Sequence, residues 1–196
     1  LVARLGGDEF AVLLAADLDD AGEVIAGLRA RDLASLGTGC VPQDAVTAEA
    51  LSGNGRFILP LQAFLDLDPK VRESAKERLG VLLQPGDQLD KIVDLLDQLS
   101  LVALAFPAFT DGRSFSKASL LRSRHDFAGA VRATGQVLID QLPHMLRVGF
   151  DEFEISHPVL LKRLEEGRLD GIPIHYQPAA KASAPTSYSW RRTPTN

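Results

Sequence analysis

The stretch Asp111-Gly112-Arg113-Ser114-Phe115-Ser116 gathers a carboxylate, a guanidinium, two hydroxyls and a glycine within six residues. A glycine turn that feeds a helix leaves the first backbone N–H groups without intrahelical partners, at the positive end of the helix dipole. An arginine beside those groups can hold a small oxyanion through charge-assisted hydrogen bonds. The candidate anion-binding set is therefore Asp111, Gly112, Arg113, Ser114 and Ser116, approached from the next loop by Arg132, Gln136 and Asp140. The same residues also have a plainer use. Asp111-Gly112 can make only a turn, Ser114 or Ser116 only a cap, and Arg113 only an ion pair with Asp140. Arg122 and Arg124 fall about two turns further along the same helix and are expected to point elsewhere.

Other chemistries leave no signature. The chain has no G-x-S-x-G elbow, no Walker loop and no G-x-G-x-x-G after a strand, so hydrolysis by a serine nucleophile, NTP hydrolysis and a dinucleotide cofactor all lack their usual signs. Cys40 is the sole cysteine. It can form no internal disulfide and cannot hold an iron–sulfur cluster by itself. His125, His144, His157 and His175 show no zinc-site spacing. The expectation is no metal and no cofactor.

The elements that must position the DGRSFS turn alternate along the chain. Phe57 to Leu61, Val81 to Gln84, Leu101 to Phe106, Ala130 to Thr134 and Glu152 to Ile155 are short apolar or β-rich runs. Leu101 to Phe106 is apolar throughout, the pattern of a strand covered on both faces. Between them lie helical stretches: one opened by Asp68-Pro69 and closed by Gly80, and one capped by Asp87 with a stripe at Leu89, Ile92, Val93, Leu96 and Leu99. Two more run from Phe115 to His125 and from Ile139 to Gly149, the latter with Asp140 as N-cap, Pro143 in the first turn and Gly149 as C-cap. His157 to Gly167 is expected to be a further helix, and Ile172 to Gln177 a last extended segment.

This alternation predicts an α/β fold with a mainly parallel sheet and flanking helices, plus an N-terminal β-hairpin/helix appendage. Ligands of such sheets gather beyond the carboxyl ends of the strands, where the DGRSFS turn falls. The expected organisation is an appendage over 1–35, a Gly-rich linker over 36–56, the α/β domain over 57–178 and a tail over 179–196. Tyr188, Trp190, Arg191 and Arg192 cluster inside that Ala/Ser/Pro-rich tail. Aromatic and arginine residues are the types that anchor interfaces, so these four are candidate partner-binding residues.

Composition sets outer bounds. Of the 196 residues 45% are hydrophobic and 24% charged, the values of a soluble globular protein. No apolar run approaches the length of a membrane helix and no basic-then-apolar leader opens the chain, so a cytoplasmic location is expected. Residues 1–100 carry 9 Lys/Arg against 17 Asp/Glu, and residues 101–196 carry 12 against 9. The basic excess of the second half suffices for one small anion but falls short of a nucleic-acid stripe.

At the other end of the chain, Gly6-Gly7-Asp8-Glu9-Phe10, flanked by Arg4-Leu5 and Ala11 to Leu14, resembles the signature hairpin of the GGDEF diguanylate cyclase family. Two glycines suit the tight turn, and acidic residues there coordinate Mg²⁺ on a triphosphate in that family. Residues 18–30 read as an amphipathic helix capped near Asp19 or Asp20. The resemblance covers about residues 1–35. A working cyclase needs a preceding strand with a second carboxylate, and strands after the helix; neither is present. A remnant or fused hairpin with no active centre, or equally a gene-boundary artefact, is the better reading, and cyclic-dinucleotide signalling the lesser one.

Three runs in the body carry a second resemblance: Phe106 with Asp111, Gly112, Arg113 and Ser116; Arg132, Ala133, Gly135 and Asp140; and Arg147, Gly149, Phe150 and Asp151. With the terminal Tyr188 to Arg192 they make residues 57–192 resemble the bacterial family called domain of unknown function 934. The resemblance implies a role in sulfite reduction, beside assimilatory sulfite reductase and phosphoadenylyl-sulfate reductase, and supplies no catalytic residue. Reducing sulfite takes six electrons, and no residue pattern here ligates sirohaem or binds NADPH or flavin. The expected function is an accessory protein of sulfate/sulfite reduction that binds a sulfur oxyanion, the reductase, or both. The alternative is an oxidoreductase of the same process.

Overall fold

The computed structural model describes residues 2–6, 9–13, 56–155, 159, 162 and 163. Within it β1 (Val2–Gly6) and β2 (Glu9–Leu13) precede β3 (Phe57–Pro60), α1 (Leu61–Leu65), α2 (Pro69–Ala75) and β4 (Leu79–Leu83). Then come β5 (Leu101–Phe106), α3 (Arg113–Ser123), β6 (Ala130–Gly135), α4 (Leu142–Val148) and β7 (Glu152–Ile155). The strands lie in the order β1-β2-β7-β6-β5-β4-β3. The five from β3 to β7 are all parallel. β1 and β2 pair antiparallel with each other, and β2 antiparallel with β7.

Parallel strands that follow one another in both sequence and space, joined by right-handed crossovers, carry every crossover on the same face. Phe64, Ala75, Ala118, Leu121, Leu142, Met145 and Leu146 of the helices join one core. Leu59, Val81, Val102, Leu104, Val131, Ala133 and Phe153 meet them from the sheet. The opposite face has its own smaller cluster of Ile58, Leu101 and Ala103, with Leu82 and Ala130 against it. All six residues of β5 are buried, as its unbroken apolar run predicts.

Local signals explain most boundaries. Asp68 caps α2 by accepting from the Lys70 N–H at 2.8 Å, and Pro69 occupies the first turn. Gly149 ends α4 with φ 107°, a conformation that favours glycine. Pro143 also lies in a first turn, but the cap is Gln141 rather than Asp140. Gly80 does not close a helix. It lies within β4, opposite Ile58 and Leu101, where an added Cβ would come within 3.1 Å of the Leu101 side chain. Helix α2 ends earlier, and a 3-10 turn at Lys76–Arg78 leads into the strand.

The stretch after Asp87 also departs from expectation. It forms two 3-10 segments, Leu89–Lys91 and Val93–Gln98, instead of an α-helix. Asp87 turns back to accept from the Gln84 N–H at 2.7 Å, closing the Pro85-Gly86 turn, and so does not cap a helix. Leu89, Ile92, Leu96 and Leu99 still face the core, because spacings of three and four suit either helix type. Val159, Lys162 and Arg163 are helical. The expected helix over 18–30, the linker except Arg56, the extended segment at 172–177 and the tail lie outside the described residues.

Candidate functional site

The carboxyl ends of β4, β5 and β6 open into three loops: Gln84 to Gln88, Pro107 to Gly112 and Gln136 to Gln141. The loops after β5 and β6 meet where the Gln136 side chain accepts from the Phe109 N–H at 3.2 Å and the Gln136 N–H donates to Phe106 O at 2.7 Å. That approach requires Gly135, whose φ is 92° and whose added Cβ would lie 2.6 Å from Phe106 O.

Arg113 opens α3 and is bound by Asp111. Its Nε and Nη2 donate to the two carboxylate oxygens at 2.9 and 2.7 Å, and its backbone N–H reaches Oδ1 at 3.3 Å. Asp111 thus fills the two-donor edge of the Arg113 guanidinium. The Arg113 contact holds the Asp111 carboxyl well below its usual range, at about 2. The guanidinium remains 63% exposed. Gly112 is the N-cap residue of α3, and Ser116 is exposed on its first turn.

The remaining candidates separate. Ser114 is buried and donates to Ala105 O at 2.7 Å, tying α3 to the end of β5. Gln136 joins the site through the Phe109 loop. Asp140 is exposed, and Arg113 pairs with Asp111 rather than with it. Arg132 does not approach the turn. It is buried on the opposite face of the sheet, in register with Glu152 and paired with it at 2.7 Å. The period-two alternation of β6 decides this, since Val131 and Ala133 point to the helices and Arg132 between them must point away. Tyr188, Trp190, Arg191 and Arg192 lie outside the described residues.

Lys117 escapes the sequence reading. It stands one turn after Arg113, on the buried side of α3 with Ser114, Ala118 and Leu121. Its Nζ donates to Gln84 O at 2.5 Å and Pro85 O at 3.1 Å, bolting α3 to the loop after β4. Burial pushes its pKa down, Arg113 adds to the effect, and Asp87 and Asp111 oppose it. The available signal was spacing: Lys117 lies three residues after Ser114 and four before Leu121, on the inward stripe. Phe109 was also missed, although it stands 53% exposed on the same rim.

Arg122 points elsewhere, as expected. Its guanidinium donates to the carbonyls of Phe127, Gly129 and Gly149 and to the Asp151 carboxylate. Asp151 in turn accepts from the Val131 N–H at 3.0 Å. Phe106 and Phe150 pack at 5.8 Å between ring centroids, and His144 lies 4.8 Å from Phe115. The Arg147 guanidinium donates to His144 Nδ1 at 2.7 Å. Among the described residues no group of three or more His, Cys, Asp or Glu lies together as a metal site, and no helix is long and apolar enough to cross a membrane.

The molecule is thus an α/β protein with a five-stranded parallel core and a charged cluster at its carboxyl edge. The model of a bacterial protein family of unknown function, DUF934, matches residues 80–187. The chain belongs to that family. No curated protein matches it. The family match begins well after the Gly6-to-Phe10 hairpin, and nothing supports reading residues 1–35 as a cyclase fragment.

Proposed function

We propose that this protein is an accessory protein of sulfate/sulfite reduction that binds a sulfur oxyanion at the carboxyl edge of its sheet. The observation that carries the reading is the two-oxygen seat of Asp111 on Arg113 at the start of α3. Sulfite and sulfate present the same pair of oxygens with more charge, and can displace the half-buried Asp111 carboxylate from the exposed Arg113 guanidinium. Gly112 leaves the approach open, Lys117 adds fixed positive charge, and Gln136 holds the neighbouring loop in place. The sulfur chemistry rests on the resemblance of the DGR-x-x-S, R-A-x-G and R-x-G-F-D runs. In this reading Tyr188, Trp190, Arg191 and Arg192 contact the reductase.

Calorimetric titration with sulfite, sulfate and adenylyl sulfate tests it. Asp111→Asn frees Arg113 and should tighten binding about tenfold, the loss of one competing charge-assisted contact. Arg113→Ala should abolish binding with little change in melting temperature. Equal affinities in all three proteins, or no binding to any, would remove the reading.

A further inference from the structure

His144 stands in the first turn of α4 and touches two elements at once. Its ring lies 4.8 Å from that of Phe115, in the first turn of α3, at an interplanar angle of 35°. Phe115 in turn meets Phe106 in a T-shaped contact, centroids 5.1 Å apart, and donates its backbone N–H to Gly112 O at 3.1 Å. From its own helix the imidazole receives Arg147, whose Nη2 lies 2.7 Å from Nδ1.

That short contact fixes the state of the ring. A guanidinium carries only donors, so Nδ1 must be the acceptor and the ring proton must sit on Nε2. A second proton would place an N–H on Nδ1, and two donors would then face each other. The ring would also become a cation beside a guanidinium, so charge and hydrogen bonding oppose the contact together.

We infer that His144 is a proton-operated latch at the carboxyl edge: neutral, it fastens Arg147 and the first turn of α4 to Phe115 of α3, and protonated it lets them go. The latch is independent of the oxyanion reading and stands whether or not an anion binds at Arg113. The groups that face the ring decide the sign. α3 presents the uncharged Phe115, and α4 presents Arg147. Among the described residues no carboxylate pairs with the imidazole to favour its charged form. Burial and, after it, the Arg147 charge hold the pKa of His144 below its ordinary value. The latch is therefore closed at neutral pH and opens as pH falls through that lowered value. α4 is seven residues long, closed by the Met145 N–H on Gln141 O and by the Gly149 and Phe150 N–H groups on Met145 O. So short a helix depends on its side-chain ties.

Nitrogen NMR of the histidine-labelled full chain reads the tautomer, and amide hydrogen exchange reads the opening. At about pH 7.5 the ring should carry its proton on Nε2. As pH falls to about 4.5 the ring should titrate, and protection factors at Met145, Gly149 and Phe150 should drop about tenfold or more beyond any change at Ala103 in β5. His144→Phe keeps a ring against Phe115 but cannot titrate, and should hold the α4 factors level with Ala103. Arg147→Met should raise the midpoint of the titration. A proton on Nδ1 at neutral pH overturns the inference, as does a ring that stays neutral throughout. So does α4 protection that keeps step with Ala103 while the ring titrates, an equal loss in His144→Phe, or an unmoved midpoint in Arg147→Met. If either variant fails to fold, the tautomer and the exchange of the native chain decide the matter.

Discussion

The two edges of the parallel sheet use arginine in opposite ways. At the amino edge Arg122 spends its guanidinium on three backbone carbonyls and the Asp151 carboxylate, joining the end of α3 to the starts of β6 and β7. At the carboxyl edge Arg113 holds a single neighbour two residues away and stays open to solvent. A half-buried guanidinium with four partners ties separate segments into one fold. An exposed one with a local carboxylate contributes little to stability and can exchange partners. The contrast separates an arginine that holds the molecule together from one that can change partners.

Arg122→Ala breaks that comparison most severely if it fails. Removing the guanidinium takes the charged donor from Asp151, which keeps the Val131 N–H, and from three backbone carbonyls, and should cost about 3–5 kcal/mol of unfolding free energy in urea. Gly135→Ala should come next, at about 1–3 kcal/mol, because φ of 92° and the contact with Phe106 O both oppose a side chain. It would show that the backbone of the carboxyl edge is fixed even where the Arg113 side chain is exposed. Ser114→Ala should cost about 1 kcal/mol through the orphaned Ala105 carbonyl. Arg113→Ala, at the other extreme, should change unfolding by less than about 1 kcal/mol. A loss as large as that of Arg122→Ala would erase the distinction between the edges.

A smaller effect concerns pH. Burial lowers the pKa of His144, and the adjacent Arg147 lowers it further. The unfolded chain therefore takes up a proton near pH 6.5 that the folded state resists. The stability linked to His144 is fully present above that value and is lost as pH falls through the lower folded value. A thermal-melting series from pH 7.5 to pH 5 should show this decline, and His144→Gln should flatten it.

The strands were legible because their burial is written in local composition. Leu101 to Phe106 and Glu152 to Ile155 fall where apolar and β-rich residues put them. Asp68-Pro69 and Gly149 announced their helix ends through the backbone geometry only those residues favour. The 3-10 segments after Asp87 were not legible, since an apolar stripe spaced three and four apart fits two helix types and the Asp87 carboxylate had a competing turn to close. Within the candidate site, Asp111, Gly112, Arg113 and Gln136 share one edge, whereas Arg132 lies on the far face because strand alternation outranks nearness in sequence.

By itself the sequence determined that short strands alternate with helices, that a glycine turn bearing Arg113 follows the most apolar strand, and that Gly149 stops a helix. Each of these is a property of neighbouring residues. Only the tertiary structure decided which charges meet. Glu152 takes Arg132 and Asp151 takes Arg122 because strand register and loop approach bring together side chains far apart in the chain, and the same loop geometry leaves Arg113 to Asp111, two residues away, rather than to Asp140.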